Sequence, residues 1–272
     1  MEKFKRNERV TVITKILCSN PGRLFTLSYF CKLLGTTKSS LSEDISMLKE
    51  IFERRRMGVI ETLPGAAGGV RYLPLVPESR RRAYIEQLAA ALSDSRRALS
   101  GGYIYMADVL SDPEQAEQIA ECIAAPFLRK EIDFVLTIET KGIPVALLTA
   151  RALGVPLVIA RRENRINEGS LVTINYITGF GKNMQTMSLP RRAVHSGQSA
   201  LIVDDFMRAG GSVKGLCDLM KEFNVLIAGI AVLVATKQPE RKLVAKYHSL
   251  LTLYSVDEYQ GIVDLRPTET GE

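Results

Sequence analysis

Leu201-Ile-Val-Asp-Asp-Phe-Met-Arg-Ala-Gly-Gly-Ser212 is the stretch on which the fold turns. Its lead-in, Ala200-Leu-Ile-Val203, is apolar without polar alternation, as in a strand buried on both faces, and a helical pattern follows from about Val213 to Phe223. Adjacent carboxylates at the end of a buried strand are costly unless something accepts or neutralises them. The vicinal hydroxyls of a ribose do so by donating hydrogen bonds. The Ala209-Gly210-Gly211-Ser212 turn then opens a helix, and backbone without bulky side chains there lets several N–H groups converge on an anion at the positive end of the helix dipole. A ribose 5-phosphate fits both halves; a plain strand-to-helix turn with a serine cap accounts for only the second.

Working outward, Phe134-Val-Leu-Thr-Ile138 is another short apolar run. A helical pattern from Val145 to Leu153 follows it, then the run Pro156 to Ala160, and Leu226 to Val234 continues the series beyond the motif. Repeated strand–helix units predict a parallel sheet with helices on both faces, and such sheets bind ligands at the carboxyl ends of their strands. Glu139-Thr-Lys-Gly142 sits at such an end. Residues 161–198 carry Arg161, Arg162 and Arg165, which could screen a polyanion, and two strand-like runs, Ser170 to Thr178 and Asn183 to Leu189, separated by Gly179-Phe-Gly181. Tyr103, after Gly101-Gly102, is either an aromatic wall of the site or a buried core residue, and the core reading is the blander of the two.

The charge is unevenly placed. Residues 1–82 hold 16 Lys+Arg and 8 Asp+Glu, net +8, whereas residues 83–272 hold 20 and 22, net −2. A basic module joined to a near-neutral one is the footprint of nucleic-acid binding, because neutralising phosphates releases counterions. Val10, Ile13, Ile16 and Leu17 recur at helical spacing until Ser19-Asn20-Pro21-Gly22. Thr26 can cap a short helix carrying Leu27, Phe30 and Leu34 that ends at Gly35. Ser40-Leu-Ser-Glu43 reads as a capping box that starts a third helix with Leu41, Ile45, Leu48 and Ile51 or Phe52 inside, and Ser39, Ser42, Ser46 and Lys49 outside. After Arg54-Arg55-Arg56, Val59 to Leu63 and Val70 to Leu73 form a hairpin through Pro64-Gly-Ala-Ala-Gly-Gly69. Three helices and a hairpin make a winged helix-turn-helix, and short hydroxyls with a lysine at a helix N-terminus suit phosphate and base-edge contacts. The expected DNA-contacting set is Thr37, Lys38, Ser39, Ser40, Ser42 and Lys49, with Arg71 from the wing. Tyr72-Leu-Pro-Leu-Val-Pro77 is the joint, dividing the chain into residues 1–74 and 75–272, and residues 78–98 are predicted to form a helix that packs the two modules together.

Composition removes other classes. A 272-residue chain with 46% hydrophobic residues fills a real core and is neither disordered nor a small stapled scaffold. Leu226 to Ala235, the longest apolar stretch, is half the ~20 residues that a bilayer span needs. Met1-Glu-Lys-Phe-Lys leads into no signal-like apolar region, so a cytoplasmic location without membrane attachment is expected. Cys18, Cys31, Cys122 and Cys217 form no CxxC pair and there are two histidines, which argues against a disulfide framework or a zinc site and for reduced core thiols.

An apolar strand, Asp-Asp, three residues, a small residue, Gly-Gly and Ser resembles the phosphoribosyl pyrophosphate (PRPP) loop of type I phosphoribosyltransferases. Glu139-Thr-Lys-Gly142 is similar to that family's pyrophosphate loop, and residues 161–198 to its hood over the ligand. The whole chain resembles the Gram-positive purine operon regulators, the purine repressor family, through Lys38 to Asp44, Pro64 to Val70, Gly101 to Tyr103, Thr140 to Pro144, Glu168 to Ser170 and Leu201 to Ser212; Ser212 stands where threonine is common. The fold implied is α/β, an N-terminal winged helix-turn-helix plus a C-terminal type I phosphoribosyltransferase-like parallel sheet. The resemblance implies a homodimer that binds double-stranded DNA upstream of purine genes and takes PRPP, with Mg²⁺, as effector. It also implies a pocket open to competing purine alarmone nucleotides, for which Phe206 is a candidate stacking surface. The PRPP-binding set implied is Asp204, Asp205, Phe206, Arg208, Ala209, Gly210, Gly211, Ser212, Val213, Thr140, Lys141, Gly142, Tyr103 and Arg161. A working phosphoribosyltransferase with a nucleic-acid-binding extension shares all these residues. The sensor is favoured because the sequence carries no distinct base-recognition signature and a winged helix has no use in a salvage enzyme. The direction of control, repression or activation, stays open.

Overall fold

The computed structural model describes residues 4–65, 68–162, 169–178 and 184–269. Arg165, Glu168, the turn Gly179-Phe-Gly181, Asn183 and the wing-tip pair Ala66-Ala67 lie outside the described residues.

The N-terminal lobe is α1 (Arg6–Ser19), α2 (Leu27–Leu34), α3 (Lys38–Arg55) and the antiparallel hairpin β1 (Val59–Leu63) and β2 (Gly69–Leu73). Thr26 accepts the Tyr29 N–H and Gly35 closes α2 with φ +58°, as the capping pattern predicts. The start of α3 differs from the expected one. Lys38 is already helical and the cap is Thr37, whose hydroxyl accepts the Ser40 N–H at 3.3 Å. Ser40 thus lies in the first turn and its own hydroxyl accepts from Thr37 Oγ1 at 3.1 Å, so the capping box expected there does not form. Ile13, Leu17, Phe30, Leu41, Ile45, Leu48, Phe52 and Val70 make the lobe's core. One polar residue joins them: Asp44, 1% exposed, receives Arg9 Nε at 2.7 Å and Arg6 Nε at 3.2 Å, which ties α3 to α1.

After Pro74 to Pro77 the chain forms α4 (Glu78–Leu92), then the two-residue pair β3 (Ala98–Leu99) and β4 (Tyr103–Ile104), α5 (Ala107–Ser111) and α6 (Pro113–Ala124). The helix predicted over residues 78–98 stops at Leu92 because Asp94 caps a separate short turn by accepting the Arg96 N–H. Next come β5 (Phe134–Ile138), α7 (Ile143–Leu153), β6 (Leu157–Ala160) and the antiparallel hairpin β7 (Leu171–Ile177) and β8 (Met184–Pro190). The chain ends with β9 (Ser199–Met207), α8 (Gly211–Glu222), β10 (Leu226–Thr236), β11 (His248–Asp257) and β12 (Ile262–Pro267).

The main sheet has the order β12-β11-β10-β9-β5-β6, parallel except for β12. Both faces are covered, so its central strands lack polar alternation. Val135, Leu201, Val203, Ala231 and Leu233 face α4, α5, α6 and α7, while Phe134, Leu136, Ala200, Ile202 and Val232 face α8 and the β7–β8 hairpin. Strand succession reverses between β5 and β9: β6 lies on the outer side of β5, whereas β10 and β11 extend away from β9. A crevice forms at such a switch point. Pairing between β5 and β9 ends at Leu136 and Ile202, although β9 stays paired with β10 as far as Met207. The two strands part there and leave Asp204 to Met207 bordering an opening. Among the described residues, no helix is long and apolar enough to cross a membrane.

Candidate functional site

The opening is a cleft of about 910 Å³ lined from five directions: the end of β5 with Glu139, Thr140 and Lys141; β9 with Asp204 to Met207; the turn Arg208 to Gly210 and the first residues of α8; the segment Leu99 to Leu110; and Arg162, Thr178 and Gln185 beneath the hairpin. Asp204 is nearly buried and Asp205 half-buried. The Asp205 N–H donates to Asp204 Oδ1 at 3.0 Å. Burial, and then the negative charge of Asp205, push the Asp204 carboxyl well above the usual carboxylate range, against the opposing pull of Arg162. Beside it the Thr137 hydroxyl, fully buried, has no hydrogen-bond partner among the described residues. A diol arriving here would bring hydroxyl donors to the acids and an acceptor to the Thr137 hydroxyl.

The anion-binding half is backbone. Gly210 precedes α8 with φ +84° and no side chain caps the helix. The first bond back onto the turn is Lys214 N–H to the Gly210 carbonyl at 2.8 Å, so the amides of Gly211, Ser212 and Val213 precede it and are the orphan donors of the helix start. The turn is held from outside: the Leu243 N–H donates to Ala209 O at 2.9 Å, and the Thr236 hydroxyl to Arg208 O at 3.3 Å. Lys242 Nζ donates to Thr236 O at 2.6 Å, and partial burial next to Arg208 lowers that lysine to about 8. Across the cleft, the Glu139–Thr140 peptide is cis, and Thr140 and Lys141 are exposed. Gly142 packs flush on the acidic pair: a Cβ there would stand 2.9 Å from Asp204 Oδ1 and 3.2 Å from Asp205 N.

Thirteen of the fourteen residues in the implied ligand set line the cleft or abut its floor. Tyr103 is 41% exposed rather than core; its ring lies 5.4 Å from that of Phe206, and the Arg208 guanidinium stands 5.8 Å over it. Arg208 Nη1 also donates to Gly101 O at 2.8 Å, so the glycine pair before Tyr103 is clasped to the phosphate-type turn. Arg161 falls outside the lining: it pairs with Glu139 at 3.5 Å and its backbone bridges to Ser188, and it is Arg162 that faces the cleft. Sequence reasoning missed Thr137, Thr236, Lys242 and Tyr105. Only Tyr105 carried a signal, by lying two residues beyond Tyr103 on the same extended segment.

On the winged lobe Thr37, Lys38, Ser39, Ser42 and Lys49 are exposed along one side of α3. Six of the seven expected contact residues already have partners for their side chains: the Thr37 hydroxyl lies 3.0 Å from Ser39 Oγ and donates to Ser40 Oγ at 3.1 Å, the Ser42 hydroxyl donates to Lys38 O at 2.8 Å, Lys49 Nζ donates to Thr62 Oγ1 at 2.8 Å, and Arg71 is half-buried in an ion pair with Glu61 at 2.6 Å.

A winged helix beside a sheet with an acidic pair and an uncapped helix start defines a two-lobed protein, one lobe of nucleic-acid-binding type and one of phosphoribosyltransferase type. Comparison with known proteins makes this specific. The family described as "Bacterial purine repressor, N-terminal" matches residues 5–74, and "Phosphoribosyl transferase domain" matches residues 108–267. The chain is 40% identical over 264 residues to the purine biosynthesis transcriptional repressor PurR of Bacillus subtilis (strain 168), covering 97% of this chain and 93% of that one. It is 37% identical over 263 residues to the purine biosynthesis transcriptional activator PurR of Lactococcus lactis (strain IL1403), covering 97% of each. Among solved structures, adenine phosphoribosyltransferase from Rhodothermus marinus superposes with a TM-score of 0.53 over 63% of this chain and 99% of that one, at 20% identity, which shows the fold alone. The chain belongs to the bacterial purine repressor family.

Proposed function

We propose that this chain is a DNA-binding transcriptional regulator of purine genes, acting as a homodimer, whose phosphoribosyltransferase-type cleft binds PRPP as an effector and does not transfer it. The observation that carries the reading is the cleft itself: a largely buried acidic pair, a helix start with free amides and an exposed Thr140-Lys141 turn converge in one opening, on a chain whose other lobe is a basic winged helix. In this reading the ribose hydroxyls donate to Asp204 and Asp205, the 5-phosphate takes the amides of Gly211, Ser212 and Val213, and the diphosphate meets Thr140, Lys141 and Arg162. The Tyr103–Phe206 wall is the surface on which a competing purine nucleotide would stack. The donor set also fits Mg²⁺ carried in with the diphosphate, since the acids are hard oxygen ligands and the metal keeps most of its shell on phosphate and water, where it neutralises charge.

Effector action requires different PRPP affinity in the DNA-bound and free states. Titrating PRPP with Mg²⁺ into the protein bound to purine-gene upstream DNA tests this; a change in affinity or footprint is expected, and unchanged affinity, bending and footprint would refute it. The enzyme reading rests on the same loops and is tested by pyrophosphate release from PRPP with adenine, guanine, xanthine, uracil or orotate; turnover at an enzyme-like rate would replace the sensor with a transferase. The repressor and the activator resemble this chain about equally, at 40% and 37% identity, so similarity does not choose the direction of control.

A further inference from the structure

We propose that α7 is the strut through which the cleft acts on the winged lobe, seated at each end through a glycine, on the acidic pair at one and on backbone at the other; the inference rests on the effector reading above and supplies its mechanical route. At the cleft end, Gly142 precedes the helix directly, and a Cβ on it would stand 2.9 Å from Asp204 Oδ1, 3.2 Å from Asp205 N and 3.2 Å from Thr137 Oγ1. Because Gly142 itself has no side chain, a shift of the acidic pair or of Thr140-Lys141 on ligand arrival bears directly on the backbone at the start of the helix.

At the far end the helix closes on Gly154, φ +73°, where a Cβ would lie 2.7 Å from Pro21 O and 2.9 Å from Arg23 N. The contact is reciprocal: Gly22, φ +72°, would place a Cβ 2.3 Å from Leu153 O. Two turns from different lobes therefore touch main chain to main chain. On the winged side that turn is fastened to the wing, because the Gly22 N–H donates to Tyr72 O at 2.8 Å and Phe25 exchanges both backbone bonds with Val70 at 2.9 and 2.8 Å. Around it Ala152 and Leu153 pack on Val59, Leu73 and Leu75. Between the two seats run 11 residues, about 16 Å of helix, held on the sheet by Val145, Ala146 and Ala150. Closely packed contacts of this kind transmit small displacements instead of deforming.

The test compares Gly22→Ala and Gly154→Ala with Gly197→Ala, which has φ +86° but nothing within 4 Å of its Cβ and so carries the backbone strain without the contact. For each, DNA affinity is measured with and without PRPP and Mg²⁺, and PRPP affinity is measured without DNA. Wild type and Gly197→Ala should show the same PRPP-dependent ratio of DNA affinities, within the usual ~5- to 150-fold range, and the two contact variants should fall within about twofold of unity while PRPP affinity stays within about threefold. A contact variant that keeps the full ratio overturns the strut, as does one that loses PRPP binding itself, since the contact would then only support the site. Hydrogen exchange on the unmodified chain gives a readout that needs no variant: PRPP should change protection of the Gly22 and Gly154 amides, and unchanged protection at both overturns the proposal. If wild-type DNA affinity ignores PRPP, the effector reading fails; if wild type responds and the contact variants respond equally, only the strut fails.

Discussion

Lys38 is the first helical residue of α3, exposed, with its ammonium at the end where the helix dipole is positive. A cation there costs the free protein about 0.3–1 kcal/mol, a cost that an incoming phosphate reverses. Lys38→Gln should therefore leave the free protein equally or slightly more stable and weaken DNA binding. Each phosphate contact contributes about 0.9 to the slope of log affinity against log salt, so the slope should fall by about 0.9 per protomer engaged. The wild-type advantage should then shrink about 3.5-fold per protomer between about 50 and 200 mM salt. Arg71→Gln is the internal contrast. Its guanidinium is spent on Glu61 at 2.6 Å, so the variant should weaken the wing without changing the slope. Fluorescence anisotropy with labelled purine-gene upstream DNA over that salt range measures both, checked by urea unfolding of the free proteins. An unchanged slope for Lys38→Gln, or an equal loss for Arg71→Gln, would refute the placement of the phosphate contacts at the start of α3.

Burial and Asp205 raise the Asp204 carboxyl, so the folded chain holds a proton that the unfolded chain has released, and stability is lost as pH rises from the ordinary carboxylate range through the folded value. Asp204→Asn keeps an acceptor for the Asp205 N–H and should raise the melting midpoint by a margin that widens as pH rises above the ordinary carboxylate range, while abolishing the PRPP-induced shift; a midpoint below wild type at every pH refutes this. Glu121 behaves alike between the lobes, where burial and then Glu117 push it to about 6, with Arg80 and Arg151 opposing. The rise from 4.5 to about 6 corresponds to about 2 kcal/mol, reduced to about 1 by the solvent that still reaches the group. Glu121→Gln should gain that much in urea unfolding at about pH 8 and nothing at about pH 4; a pH-independent effect would sink the argument. Arg9→Ala strips the shorter of two partners from Asp44, 1% exposed, and should cost about 3 kcal/mol, lessened to the extent that Arg6 compensates; a loss below about 0.5 kcal/mol in the same assay would show the pair to be incidental.

What could be read in the residues was whatever is local. Thr26 and Gly35 bracket α2 because a cap and a left-handed glycine act within one turn, and Phe134 to Ile138 is a strand over the predicted residues because burial on both faces leaves no polar alternation. The start of α3 lies three residues before the expected one since Thr37 and Ser40 are both competent caps and only the structure chooses between them. Asp44 was assigned to neither face of α3, and its burial depends on arginines 35 and 38 residues away. The chain's last two strands carry mixed polarity, β12 because it closes one edge of the sheet, and went unread. In the site the acidic pair and glycine turn are contiguous and were legible. The roles of Thr137, Thr236 and Lys242 arise from packing between separate segments, and Arg161 and Arg162 differ only in which face of an irregular stretch each takes.

Asp204 is buried beside a second carboxylate and next to a hydroxyl with no partner among the described residues, an arrangement that costs folding free energy. A ligand that brings donors removes that cost, and the free energy released is available to bias whatever moves with the floor. The bias can go no further than the difference in ligand affinity between the two arrangements, whether the DNA-bound form is the one favoured or the one opposed. Repression and activation therefore need no different cleft. They need only that the winged lobe meets its DNA in the arrangement that the occupied site disfavours or in the one that it favours, and relatives bearing either function at similar identity are what such a division of labour would produce.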